Sequence, residues 1–135
     1  METGGRPQRT LLISTWRSGS SFLGDLLYHS VPSTFYTHEP LQMYRVKQFR
    51  TPKQGHDALN MVKQILKCNF EGLEDYLTKR VIKFGHFERQ WKYCKVKKNI
   101  DLCLNTEVVS WFCKLFPFHN MKSVRLRLRL VEEIL

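Results

Sequence analysis

The apolar positions change their period several times along the chain, and each change marks a predicted element. Leu11, Leu12 and Ile13 form a continuous apolar run of the kind found in a strand buried on both faces. Residues 16–21 then supply a turn. From Phe22 the apolar residues recur at Phe22, Leu23, Leu26 and Leu27, with Asp25 and Tyr28 off the stripe, which predicts a helix starting near Ser20 or Ser21. Residues 33–37 place β-branched and aromatic side chains after Pro32 and predict a second strand, with His38, Glu39 and Pro40 at its C-terminal end. Residues 44–55 read as a polar loop with Lys47, Arg50 and Lys53 around Pro52.

Helical periods then take over. Ala58, Leu59, Met61, Val62, Ile65 and Leu66 predict a core helix over 56–68, and Leu73, Tyr76, Leu77, Val81 and Ile82 predict another over 70–83. Val108, Val109, Phe112 and Leu115 predict a helix over 104–116, with Asn105 or Thr106 as its cap and Pro117 as its stop. Residues 122–130 alternate strictly between polar and apolar, the pattern of a half-exposed strand and an awkward one for the centre of a parallel sheet. Strands alternating with helices predict an α/β fold: a P-loop-like parallel sheet flanked by helices as an α/β/α sandwich.

The first strand, turn and helix carry the candidate chemistry. A helix N-terminus leaves backbone N–H groups without intrahelical partners and presents the positive end of the helix dipole, so phosphate or sulfate fits there. Gly19 lets the backbone approach an anion, Ser18, Ser20 and Ser21 add hydroxyl donors, and Arg17 adds a planar charged fork. An N-cap serine beside a turn glycine would account for a bare Ser-Gly-Ser-Ser; the strand before it and the helix after it are what point to an anion site. The loop lacks Gly-x-x-x-x-Gly-Lys-[Ser/Thr], so the lysine and metal-binding hydroxyl of a nucleoside-triphosphate site are not in their usual places, which disfavours an NTPase.

Ser-Thr-Trp-Arg-Ser-Gly-Ser-Ser-Phe-Leu-Gly, followed by Phe-Tyr-Thr-His-Glu-Pro-Leu, resembles the Golgi carbohydrate sulfotransferases, in particular the group that sulfates the 6-hydroxyl of N-acetylglucosamine, galactose or N-acetylgalactosamine. The resemblance runs from about Thr10 onward. It implies that Arg17, Ser18, Gly19, Ser20, Ser21 and Phe22 bind the 5′-phosphosulfate of 3′-phosphoadenosine 5′-phosphosulfate (PAPS), with a glycan as acceptor and no metal needed. In such a transfer the donor's bridging oxygen gains negative charge as its bond to sulfur lengthens, and fixed donors stabilise that charge most in the transition state. Arg17 is the expected contact to the leaving group.

A sugar hydroxyl becomes a better nucleophile as its proton leaves, so a general base is expected too. Ligands of open parallel sheets bind outside the C-terminal ends of the strands, which places Glu39 near the first loop, and the resemblance suggests Glu39 as the base. His38 is the runner-up because imidazole titrates in the right range. Without the resemblance, Glu39 reads as a solvated loop carboxylate before a proline and His38 as a spacer.

At 135 residues, with 42% hydrophobic and 13% aromatic residues, the chain is long enough for one domain with a core. The expected organisation is a polar tail over 1–9 and, over 10–135, the 5′-phosphosulfate-binding N-terminal part of a sulfotransferase domain. Twenty-two Lys and Arg against twelve Asp and Glu give a net charge of +10, which attracts polyanions without choosing among acidic glycans, nucleic acid and membrane surfaces. Residues 79–98 hold eight cations against Glu88, interleaved with Phe84, Phe87, Trp91 and Tyr93. Such a stretch suits stacking on sugar rings, and a solvated positive face explains it equally well. No familiar nucleic-acid motif occurs, so no nucleic-acid partner is expected.

No stretch approaches the roughly 20 apolar residues of a membrane span, and residues 1–8 lack the apolar core of a secretory signal. The resemblance implies the Golgi lumen, although the membrane anchor of that family is not visible in the chain. Cys68, Cys94, Cys103 and Cys113 include no Cys-x-x-Cys pair, which argues against a zinc site. They suggest up to two disulfides in an oxidising compartment, Cys94 with Cys103 being the most local pairing, or buried thiols in a reducing one.

Lys-Ser-Val-Arg-Leu-Arg-Leu at 122–128 resembles the family's entry into its third core strand, which would confine the strand to 123–126. The alternating arginines could instead face an acceptor glycan. The family's later Val-Arg-Asp-Pro-Arg-like segment, which grips the donor's 3′-phosphate, is not present. The expected fold is therefore incomplete at the C-terminus, and the chain a truncated, weakly active or inactive form. Each lost charge-assisted hydrogen bond would cost about 1.5 to 3 kcal/mol of donor binding. Two alternatives belong to other classes: a non-catalytic polyanion- or glycan-binding domain, and a P-loop nucleotide-binding protein.

Overall fold

A computed structural model describes residues 7–44, 51–78, 100–126 and 132. Three strands, β1 (Gln8–Ile13), β2 (Thr34–His38) and β3 (Phe118–Ser123), form a parallel sheet in the order β1-β3-β2. The first two strands are joined through α1 (Ser20–Ser30) and leave a gap one strand wide, which β3 fills from 80 residues further along the chain. The α/β architecture with a parallel sheet and flanking helices agrees with the alternation of strand and helix periods in the sequence.

Pleating divides the side chains between two layers. Phe35 of β2 turns to one face, where its ring meets Phe70, Phe112, Phe116 and His119 at centroid distances of 5.1–6.5 Å. The core lies on this face, built from Phe35, Ala58, Met61, Val62, Ile65, Leu77, Val109 and Met121. These side chains come from the sheet, α2 (Pro52–Leu66), α3 (Glu74–Thr78) and α5 (Thr106–Lys114), with α4 (Ile100–Leu104) adding Cys103. Tyr36 and His38 turn to the other face, and Tyr36 meets Tyr28 of α1 at 5.9 Å.

Several boundaries differ from the sequence expectation. β1 begins at Gln8, and Leu11, Leu12 and Ile13 are half-buried, since β3 pairs with this strand on one side and no described strand covers the other. α2 begins at Pro52 and not at 56, because Thr51 caps it by accepting from the Gln54 amide and proline suits the first helical position, so Lys53 belongs to the helix. The helix predicted over 104–116 is α5, capped as expected by Asn105, whose side chain accepts from the Glu107 and Val108 amides; α4 ends just before the cap, at Leu104. Within 70–83 only α3 is helical among the described residues, with Tyr76 and Leu77 buried and Leu73 partly so.

The third strand lies where the sequence pattern did not place it. It runs over Phe118–Ser123 and ends where the alternating segment starts, and Val124, Arg125 and Leu126 are outside any strand. The apolar stripe of α1 is largely exposed. Phe22, Leu23 and Leu26 are exposed at 74%, 42% and 50%, while the helix presents Ser20 and Gly24 to the sheet. Gly24 is needed there, since a Cβ on it would run into the Tyr36 hydroxyl. Lys47, Arg50, Val81, Ile82, the cationic aromatic stretch over 79–98, and the continuation of the alternating arginines over 127–130 lie outside the described residues.

Candidate functional site

The C-terminal ends of the three strands meet the N-terminus of α1 at one cleft of about 470 Å³, lined by Trp16, Arg17, Gly19, Ser20, Ser21, Glu39, Lys122 and Val124. The loop between β1 and α1 takes two left-handed residues to reach the helix: Arg17 at φ 62° and Gly19 at φ 78°. The Ser18 hydroxyl donates to the Thr15 carbonyl at 2.8 Å and folds the turn on itself. Gly19 is the N-cap of α1 and supplies no side-chain cap, so the first-turn amides receive no side-chain acceptor from the capping residue. That is the condition under which a helix N-terminus accepts an external anion. Arg17 is exposed at the cleft, and among the described residues its guanidinium has no ion-pair or hydrogen-bond partner.

Glu39 enters from the end of β2. Its backbone is also left-handed, at φ 43°, and its amide donates to the Lys122 carbonyl at 2.8 Å, which extends the β2–β3 pairing by one residue and swings the carboxylate over the cleft. Three cationic or ionisable groups surround it. Lys122 Nζ donates to Oε1 at 2.8 Å, Arg125 donates to Oε2 at 3.1 Å, and His38 Nε2 lies 3.8 Å from Oε1. The Lys122 ammonium also donates to the Ser21 hydroxyl at 3.1 Å, and the Arg125 guanidinium stacks over the Trp16 ring at 4.8 Å. Burial pushes the Glu39 carboxyl up. The hydrogen bond and charge of Lys122, together with His38 and Arg125, outweigh that effect and hold it below the ordinary carboxylate range.

Of the residues expected at the site, Arg17, Ser18, Gly19, Ser20, Ser21, Phe22 and Glu39, the fold gathers all but Ser18 and Phe22 around the cleft itself. Ser18 is spent on the turn, and the Phe22 side chain is largely exposed, so any contact from Phe22 to an anion would be through its backbone. Lys122 and Arg125 were missed as partners of this carboxylate. The alternating pattern puts Lys122 at the head of a half-exposed strand, whereas its side chain is only 2% exposed. The signal available was indirect: an anion-binding loop without the usual lysine needs a cation from elsewhere, and a lysine followed by Ser-Val-Arg at a strand end is a source.

On the opposite face of β3, His119 is fully buried. Its Nε2 lies 2.9 Å from the Thr37 hydroxyl and its Nδ1 lies 3.9 and 3.7 Å from the sulfurs of Cys68 and Cys113. Those two cysteines form a disulfide. It is the complement of the local pairing expected for Cys94 and Cys103; Cys103 is also disulfide-bonded, and Cys94 lies outside the described residues. The two sulfurs and the imidazole lie within 4.8 Å of one another and have donor types that could bind a metal. A metal would take them as thiolates, so the oxidised pair must first be reduced. Sequence spacing did not reveal this group, because the strand order brings together residues 45 apart or more from Cys68.

The chain is similar to carbohydrate sulfotransferases. It is 26% identical over 124 residues to carbohydrate sulfotransferase 4 of Mus musculus, an alignment covering 90% of this chain and 29% of that protein. It is 36% identical over 73 residues to carbohydrate sulfotransferase 7 of Mus musculus and to that of Rattus norvegicus, covering 51% of this chain and 14% of each. The chain thus spans less than a third of the length of these sulfotransferases. No protein-family model and no solved structure matches it. No helix among the described residues is long and apolar enough to cross a membrane.

Proposed function

We propose that the chain carries the 5′-phosphosulfate-binding half of a sulfotransferase domain, residues 10–135, which transfers a sulfuryl group from PAPS to a hydroxyl of a glycan, the 6-hydroxyl by family resemblance, in the Golgi lumen. The observation that carries this reading is the cleft in which the uncapped N-terminus of α1, Arg17 and Glu39 come together in a chain similar to carbohydrate sulfotransferases. The residues fit the donor's anionic end. The backbone amides after Gly19 and the Ser20 and Ser21 hydroxyls would hold the phosphosulfate, and Arg17 would meet the charge that develops on the leaving oxygen.

Glu39 would take the proton of the acceptor hydroxyl. It is ionised at neutral pH, as a base must be, and its basicity is low while Lys122 and Arg125 hold both of its oxygens. That double grip also favours a second reading, a non-catalytic domain that binds the anionic groups of a glycan in the same cleft.

Calorimetric titration with 3′-phosphoadenosine 5′-phosphate and with ATP separates the possibilities. Preference for the bisphosphate, weakened at least about tenfold by Arg17→Ala, supports the sulfotransferase reading. Binding of a sulfated glycan without any binding of the bisphosphate supports the second. Preference for ATP overturns both. Sulfate transfer from labelled PAPS to an N-acetylglucosamine-terminated acceptor, lost in Glu39→Gln, tests the chemistry.

A further inference from the structure

The ammonium of Lys122 stands at the junction of the two halves of the cleft. One N–H goes to Ser21, in the first turn of α1 where an anion would sit, and another goes to Glu39, the carboxylate across from it. Its side chain is 2% exposed, so water does not replace either partner. A buried ammonium needs compensation from nearby acceptors, and Glu39 supplies it in this structure. An anion bound at Ser20 and Ser21 would be a second negative group within reach of the same ammonium.

We propose that Lys122 is a positioning residue that couples occupancy of the anion cradle to the state of Glu39, its ammonium being shared between the incoming anion and that carboxylate. This rests on the anion-binding reading of the cleft and goes beyond it. With the cradle empty, Lys122 and Arg125 hold Glu39 and keep it a poor base. With the cradle filled, Lys122 turns part of its hydrogen bonding to the anion, and Glu39 regains affinity for a proton at the stage when an acceptor hydroxyl has one to give. The charged and titratable groups facing Glu39 are Lys122 on β3, Arg125 just beyond it and His38 on β2; Arg17 of the β1–α1 loop lines the same cleft. Lys122 also donates to Ser21, a residue of the first turn of α1.

Coupling of this kind is reciprocal, which makes it measurable without turnover. Inorganic sulfate is titrated calorimetrically, at constant ionic strength, into the chain and into Glu39→Gln, Lys122→Gln and the double variant. Removing the competing carboxylate should tighten sulfate about tenfold when Lys122 is present and less than about twofold when it is not. Equal tightening in both backgrounds would mean that the anion and Glu39 merely repel each other directly, and would overturn the proposal while leaving the anion site intact. A second readout uses the unaltered chain and does not depend on variants folding. In heteronuclear NMR, the Lys122 ammonium nitrogen and the Glu39 carboxyl carbon should shift with the same sulfate midpoint as the Ser21 amide. A Ser21 amide that titrates while Lys122 stays still overturns the coupling alone. No sulfate effect on any of the three overturns both the coupling and the anion site.

Discussion

His119 and Lys122 are three residues apart on the central strand, both buried, and they solve the problem of a buried basic group in opposite ways. His119 faces the apolar core, where it is shielded on one side by the Cys68–Cys113 disulfide and bonded to Thr37 on the other. Burial, with the positive charge of Arg9 adding to it and a backbone hydrogen bond at Leu66 opposing it, lowers its pKa to about 3, so it is neutral. Lys122 faces α1 and the cleft, and stays compatible with burial through the Glu39 carboxylate. A group in a closed core gives up its charge, whereas a group at the end of a sheet keeps it and is matched with an opposite one. Chemistry is expected only on the second side, because an unneutralised or shareable charge is what an anionic substrate can use.

The largest expected effect comes from breaking the closed side. Replacing Cys68 and Cys113 together by alanine opens a 45-residue cross-link and should cost about 4 kcal/mol in urea unfolding. Sulfate affinity of the folded fraction should change less than about twofold if the two faces are independent; a larger loss would show that the core face shapes the cleft. Next is the paired side. Glu39→Ala leaves Lys122 and Arg125 without their carboxylate and should cost about 3 kcal/mol. Part of this should return on adding Lys122→Met, which removes the stranded ammonium; a double variant as unstable as the single would mean that the pair is not the source of the loss.

Gly24→Ala tests how closely α1 is pressed onto the paired side. Its methyl group would meet the Tyr36 hydroxyl, with Lys122 next to it, and a cost of about 2 kcal/mol is expected from overpacking. Gly19→Ala has open space around its Cβ and only the left-handed backbone against it, so about 1 kcal/mol is expected there.

The smallest effect per step is the dependence on pH, which separates the two groups by window. The folded pKa of His119 is depressed below its ordinary 6.5. The unfolded chain therefore takes up the proton first, and the stability that is fully present above 6.5 falls as pH drops toward about 3, by up to about 1.4 kcal/mol per pH unit. Glu39, also depressed, contributes stability that is present above its ordinary 4.5 and is lost as pH falls further, through its folded pKa. Unfolding free energies measured between pH 6.5 and 4.5 should thus lose their slope in His119→Gln and keep it in Glu39→Gln. The reverse result would assign the wrong group to that window.

Local signals were legible where a few neighbouring residues set the geometry. The Arg17 to Ser21 turn, the start of α1 at Ser20, the Asn105 cap and the strand ending at His38 each depend on hydrogen bonds or backbone conformations within a few residues. The third strand was not legible, because Phe118–Ser123 reads Phe-His-Asn-Met-Lys-Ser, a polar stretch whose histidine and lysine acquire partners only from other elements. The exposed stripe of α1 misled for a related reason: a helix crossing a sheet at close range needs small residues at the contact, and Gly24 with Ser20 outranks the larger side chains there.

By itself the chain determined an α/β fold, a helix whose N-terminus follows a strand and a small-residue turn, and an acidic residue at the end of the next strand. It could do so because periodicity and capping are short-range properties. The tertiary structure alone decided that β3 passes between the other two strands, that Lys122 and Arg125 close on Glu39, and that Cys68, Cys113 and His119 meet in the core. These contacts join residues 45 to 110 positions apart, or adjacent only through such joins, and depend on which elements pack together, a choice made by burial across the whole domain that no local pattern encodes.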